Sequence, residues 1–208
     1  MAKIDREARV RQLLEYDAQY GALMTAGMDE VGRGPLVGNV VTACVVMPKE
    51  PVILWIDDSK KLSEKRRELV YEEIMQCALY VGIGQATPEE IDRMNILEAT
   101  KKAMREAASQ VPADVFLIDA VTNLGLNGRE VPIIKGDATS YAIAAASIVA
   151  KVTRDRQMIA LDKQYPQYGF ARNKGYGTAE HIAALKQYGP IPEHRRSFIG
   201  HFVTVNQP

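Results

Sequence analysis

Four acidic residues stand where acids are uncommon. Asp29 and Glu30 are adjacent inside the apolar stretch TAGMDEV, although aspartate and glutamate are depleted from strands. Asp119 closes the run VFLID, and Asp137 follows VPIIK through a single glycine. One acid at a strand end is ordinarily a turn former, but several such acids in one chain suggest a cluster. Carboxylates packed within a few ångströms repel one another and hold raised pKa values unless a cation sits among them. No histidine or cysteine stands at ligand spacing, so the donor set is oxygen-only and selects Mg²⁺ or Mn²⁺ over zinc or copper. Neighbouring residues of a regular strand face opposite ways. Asp29 and Glu30 therefore cannot both address one ion from an ideal strand, which predicts a bulge there or a contribution from the Glu30 backbone carbonyl.

Other segments suit a phosphate-bearing ligand. Gly32-Arg33-Gly34-Pro35 follows the first acids; glycines admit close backbone approach and arginine offers a forked donor. The spacing matches neither a P-loop nor a dinucleotide fingerprint, and a plain turn would account for the same residues. Asp58-Ser59-Lys60-Lys61, with Lys65, Arg66 and Arg67 beyond, is either a solvated helix start or a row of phosphate contacts. Tyr176 lies between Gly175 and Gly177, where a core gains little and a stacking face for a sugar or base gains more. His194-Arg195-Arg196 continues a basic tail, and His194, with no evident partner, reads as structural. The 26 basic and 26 acidic residues cancel overall, yet residues 151–208 hold nine basic and four acidic ones, a net of +5, leaving −5 on residues 1–150. An acidic part followed by a basic tail suits a protein that binds metal and then a phosphate backbone.

These residues need a scaffold. Residues 3–20 have apolar positions near helical spacing, including Ile4, Val10, Leu13 and Leu14. Two strands flanking the glycine-proline turn come next, then a helix from about Ser63 to Cys77 and a strand from Leu79 to Gln85. Thr87-Pro88-Glu89-Glu90 has the signature of a capping box with proline at the first helical position, opening a helix that reaches about Ser109 and bends near Asn95. Strands are expected at Asp114 to Asp119 and Val131 to Lys135. An alanine-rich helix follows from about Thr139 to Lys163, a loop from Tyr165 to Asn173, and a last helix from Thr178 to Tyr188. The sum is an α/β fold with one mixed sheet flanked by helices.

Composition narrows the class. Hydrophobic residues at 47% and charged residues at 25% fit a globular chain and exclude a disordered or collagen-like one. The longest apolar run, Tyr141 to Ala146, is six residues, against about 18 for a membrane span. With a charged N-terminus, two cysteines and no CxxC pair, a cytoplasmic protein without membrane contact is the expectation.

The segments AGMDEVGRGPLVG, DDSKKLSEKRRE, LID at 117–119, IIKGDATS, AAASIVAKVTRDR, YGFARNKGYGTAEH and GPIPEHRRSF together resemble bacterial ribonuclease HII, over about residues 26–198. Asn39 stands where that family usually has proline, and Ala120 where glycine is common. The resemblance implies a ribonuclease H-like fold with a five-stranded mixed sheet. It further implies a single catalytic domain over residues 1–208, with a core at about 24–165 and a basic, helical C-terminal segment at about 166–208. Its implied activity is endonucleolytic cleavage of RNA in RNA/DNA hybrids and at single ribonucleotides embedded in duplex DNA, as in ribonucleotide excision repair. Asp29, Glu30, Asp119 and Asp137 become the catalytic, metal-binding acids, holding two divalent ions, Mg²⁺ or Mn²⁺, with substrate bound. One ion activates water, the other stabilises the leaving oxygen, and the products carry 3′-hydroxyl and 5′-phosphate ends. Gly32, Arg33 and Gly34 are expected at the 2′-hydroxyl, Tyr176 on the neighbouring deoxyribose, and Lys60, Lys61, Arg195 and Arg196 on the duplex backbone. A monomer is expected, and no replication-clamp motif is evident. The sister ribonuclease HIII lacks the arginine between the glycines, so Arg33 argues against it. A noncatalytic nucleic-acid-binding module would use the acids merely to cap strands. A small-molecule phosphatase is disfavoured by the absence of a nucleophile motif and by the basic tail.

Overall fold

The protein is described from a computed structural model covering residues 5–21 and 23–204. The chain opens on α1 (Arg6–Ala18), started by the Asp5 carboxylate, which accepts from the N–H groups of Glu7 and Ala8. Ile4, expected in this helix, lies outside the described residues. β1 (Thr25–Val31) and β2 (Val40–Val46) run antiparallel, joined by a loop over 32–39 that is longer than a tight hairpin turn. α2 (Glu64–Cys77) is capped by Ser63 and leads into β3 (Tyr80–Ala86), antiparallel to β2.

The capping box forms as its residues dictate: Thr87 Oγ1 accepts from the Glu90 N–H, and the Glu90 carboxylate accepts from the Thr87 N–H. The expected bend at Asn95 is a full break between α3 (Pro88–Met94) and α4 (Ile96–Ala108). Asn95 sits at φ 73° and its side chain caps Leu97 and Glu98, so the second helix starts afresh. β4 (Val115–Asp119) is parallel to β1, and β5 (Arg129–Ile133) is parallel to β4. β5 ends two residues earlier than its sequence suggests because Lys135 adopts a left-handed conformation, φ 57°, and turns the chain away.

The sheet order is β3-β2-β1-β4-β5. One face carries α1, α2 and the long α5 (Tyr141–Gln164), packed on Ala43, Val45, Val115 and Leu117. The other carries α4 on Met28, Cys44, Phe116 and Ile118. Helix and strand backbones come close because strand glycines leave room. A Cβ on Gly27 would lie 2.0 Å from the Ala142 carbonyl carbon, and one on Gly84 1.9 Å from the Ala103 oxygen. The outer edge of β3 is covered by α4 and the turn after it. Ile83 donates to and accepts from the Gln110 amide, Gln85 N–H donates to Glu106, and Lys102 donates to the Gln85 carbonyl.

Beyond α5 come a 3-10 turn and α6 (Phe170–Asn173), where the sequence suggested only loop, then α7 (Ala179–Tyr188) and α8 (Arg196–Ile199). Their apolar residues pack on earlier parts of the chain. Tyr168, Phe170 and Ala184 pack on Met158 and Leu161 of α5 and on Val37 of the 32–39 loop. Gly27→Val should destabilise the protein by about 3 kcal/mol or more, since the added atoms meet backbone that cannot rotate aside; urea unfolding against the wild type measures it.

Candidate active site

The parallel strands β1, β4 and β5 all end on one side, where α/β sheets characteristically bind ligands. The β1–β4 register pairs Met28 with Ile118, so Asp29 and Asp119 leave the ladder side by side. Both lie on the α5 face with Gly27 and Leu117, two residues back. Asp137 arrives on the turn after β5. Gly136 carries it in: its N–H donates to Asp119 Oδ1 at 2.8 Å, and a Cβ there would crowd Ile143 at 2.6 Å. One oxygen from each of Asp29, Asp119 and Asp137 falls within 4.8 Å of the others.

Burial raises the Asp29 carboxyl well above its ordinary range, and Glu30 and Asp119 push it further. Asp137 is raised by burial and by Asp58, with Lys60 opposing from 3.5 Å. Glu30 stands apart from the three. β1 keeps unbroken register with β2 from Gly27 against Val45 to Val31 against Val41, so the bulge, one of the two arrangements expected, is absent and the Glu30 side chain takes the opposite face. Its Oε1 lies 3.5 Å from Arg33, while its Oε2 is buried and, among the described residues, has no hydrogen-bond partner. Burial raises Glu30; Arg33 pulls it down and Asp119 pushes it up, so its charge still belongs to the cluster. Three convergent carboxylates with an unpartnered buried fourth are a donor set that a hard divalent cation fits.

Beside the acids, two buried arginines shape the 32–39 loop. Arg195 is 0% exposed and its fork donates to the carbonyls of Gly32, Arg33, Pro35 and Gly38 at 2.6–3.0 Å. Arg154, from α5, donates to Val37, Asn39 and Lys174. In a trans peptide the N–H points opposite to the carbonyl. Since the Gly32 and Arg33 carbonyls turn inward to Arg195, the N–H groups of Arg33 and Gly34 turn outward. Tyr176 meets this loop: the Leu36 N–H donates to the Gly175 carbonyl at 2.8 Å, and a Cβ on Gly34 would lie 3.6 Å from the Tyr176 ring, which is 46% exposed.

The remaining expected contacts divide. Lys60 extends toward Asp137. Lys61 turns back to Asp57, which also pairs with Arg6 and Arg9. Arg196 is exposed, its N–H held by Asp92. Arg195 cannot hold a duplex backbone: its donors are buried and committed to carbonyls, which corrects the sequence expectation. Sequence reasoning also missed Arg154, Arg9 and His181. Arg154 had a signal, since it shares a helical stripe with Ser147, Ala150, Met158 and Leu161, all buried. Arg9 joins Asp57 to the Ala138 carbonyl, each at 2.9 Å, bracing the lysine segment against the turn that carries Asp137. His194, without a partner in the sequence reading, has one in His181 at 3.0 Å.

The family model described as Ribonuclease HII matches residues 26–204. The chain is 56% identical over 195 residues to ribonuclease HII of Lachnoclostridium phytofermentans, covering 92% of this chain and 77% of that protein. Among solved structures, the ribonuclease HII in the PCNA:RNase HII complex from Archaeoglobus fulgidus superposes with a TM-score of 0.74 at 30% identity, covering 84% of this chain and 93% of that one. Ribonuclease H2 from Pyrococcus horikoshii OT3 gives 0.71 at 27% identity, over 83% and 92%.

Because folding raises the pKa values of Asp29, Glu30 and Asp137, these three acids bind more protons in the folded state than in the unfolded one above about pH 4. The contribution of the cluster to stability in EDTA, read as the difference from Asp119→Asn, should therefore fall as pH rises from about 4 through those raised values. Added Mg²⁺ or Mn²⁺ should restore it, more so at higher pH, by about 5–10 °C at a hundredfold excess over Kd. Asp119→Asn should melt higher in EDTA and lose the response to the ion; thermal melts across pH check both. Arg195→Lys keeps the charge but loses the fork, and is expected to cost about 3 kcal/mol in urea unfolding.

Proposed function

Since the chain belongs to the ribonuclease HII family and is a ribonuclease H type endonuclease, we propose that it hydrolyses RNA within RNA/DNA hybrids and cuts at single ribonucleotides embedded in duplex DNA. The observation that carries this reading is the meeting of Asp29, Asp119 and Asp137 within 4.8 Å, beside a loop that turns backbone N–H groups outward. Asp29, Asp119 and Asp137 would hold divalent ions with Glu30 at their flank, and when bound such ions supply an activated water and neutralise charge at the leaving 3′-oxygen.

The chain's own residues orient the substrate. Outward N–H groups at Arg33 and Gly34 offer donors to a 2′-oxygen, which deoxyribose lacks; a site built to hydrogen-bond a hydroxyl discriminates strongly against its absence. Tyr176, in contact with the same loop, presents its ring to the next sugar. Lys60, with its side chain 81% exposed and its ammonium 3.5 Å from Asp137, stands where a phosphate beside the acids would meet it. Burial lowers the Lys60 pKa, but Asp137, Asp58 and Asp29 outweigh it and raise the value, so the amine is charged at neutral pH. The 2′-hydroxyl is read and not used as nucleophile, so the products carry 3′-hydroxyl and 5′-phosphate ends.

A labelled duplex holding one ribonucleotide, resolved on a gel with Mg²⁺, with Mn²⁺ and with EDTA, tests the proposal. Nicking that needs the ion and leaves those ends is expected; ion-independent cleavage or a cyclic phosphate would overturn it. Asp119→Asn should abolish cleavage while duplex binding stays within about threefold, and near-normal turnover would remove Asp119 from the chemistry. Tyr176→Ala should weaken selection of the RNA–DNA junction more than overall binding.

A further inference from the structure

Two buried histidines connect to the backbone of Tyr176. His181 on the first turn of α7 and His194 ahead of α8 are 0% and 2% exposed, and their Nε2 atoms stand 3.0 Å apart. Facing ring nitrogens hydrogen-bond only when one bears a proton and the other does not. The outer nitrogens decide which. The Ile191 N–H donates to His194 Nδ1 at 3.0 Å, so that nitrogen is bare and the ring's proton sits on Nε2. His181 Nδ1 lies 2.9 Å from the Tyr176 carbonyl, which can only accept, so this ring is protonated on Nδ1 and accepts at Nε2. One directed chain results: Ile191 N–H to His194, His194 to His181, His181 to the Tyr176 carbonyl. It holds one proton per ring and has no place for a second.

The surroundings keep it so. The Tyr168 and Phe170 rings enclose the pair at centroid distances of 5.2–6.2 Å. Burial holds both histidines below their usual range, and His181 adds to the effect on His194. The chain ends on Tyr176, whose N–H is held by the Asn173 carbonyl at 2.9 Å and whose neighbour Gly175 is tied to Leu36. The exposed ring is thus held by its backbone, and the Tyr176 carbonyl accepts from the Thr178 N–H at 2.8 Å and, from inside, from His181.

We propose that His181 and His194 are positioning residues for ribonucleotide selection: their neutral relay sets the Tyr176 carbonyl and so aims its ring along the Arg33–Gly34 loop. This rests on the reading of Tyr176 as the sugar-facing residue. His194→Phe preserves ring shape and removes the relay, whereas His194→Gln keeps an N–H donor toward His181.

The test is a double-mutant cycle. His194→Phe, Tyr176→Ala and the double variant are assayed for kcat and KM on a duplex with one ribonucleotide and on one with a continuous RNA strand. The expected result is a several-fold loss of the ratio between the two substrates in His194→Phe, largely recovered in His194→Gln. The double variant should be no worse than Tyr176→Ala. Additive losses, or equal falls on both substrates, would overturn the proposal. Loss in Tyr176→Ala with none in His194→Phe overturns the relay alone; an unchanged ratio in Tyr176→Ala overturns the reading of Tyr176 instead and removes the relay's functional role with it. Two-bond ¹H–¹⁵N spectra of the wild-type rings give a check independent of any variant's folding. They should place protons on His181 Nδ1 and His194 Nε2, and the opposite tautomers would refute the relay.

Discussion

A buried guanidinium is tolerable only when oxygen atoms replace the water it has lost. Arg154 and Arg195 meet that requirement with backbone carbonyls. The arrangement constrains both sides. The charges cannot stay inside unless the 32–39 loop folds its carbonyls over them, and the loop cannot hold that shape without the charges. The loop that follows β1 and the loop that carries Tyr176 thereby become one rigid surface, since Arg154 binds carbonyls from both. A carboxylate partner would have satisfied the arginines more simply, but it would have placed negative charge next to the surface proposed to receive phosphate.

The acid cluster is the opposite arrangement, like charges held together against their repulsion. Sheet register brings Asp29 and Asp119 level, a glycine admits Asp137, and α1 braces that turn through Arg9. The scaffold supplies the free energy that keeps these acids close, and the site is a place where local stability is given up for chemistry.

Much of this was legible in the sequence because local rules govern it. The Thr87 capping box, the Ser63 cap and the five strands follow from neighbouring residues, and the acids announced themselves by standing at strand ends. What escaped depends on partners distant in the chain. Arg195 and Arg196 are adjacent and chemically identical; only the antiparallel bridge between Val37 and His194 decides which one faces inward. His194 looked isolated because its partner lies 13 residues away, on α7. Shared coordination by Asp29 and Glu30 called for a bulge or for the Glu30 backbone carbonyl; the ladder continues without a bulge, and the two carboxylates interact through their charges. Ala120, where the resembling family commonly has glycine, sits at φ 52°, a conformation that taxes alanine.

The side chains lying along β3 have a consequence for the molecule in a crowded solution. Gln110, Glu106 and Lys102 occupy the donors and acceptors through which a foreign strand would zip onto that border. The safeguard is borrowed from α4 and its terminus, so it lasts only while that helix stays docked. Partial melting there would uncover a sticky margin together with the apolar sheet face that α4 covers, which makes the seating of one helix the guard against clumping.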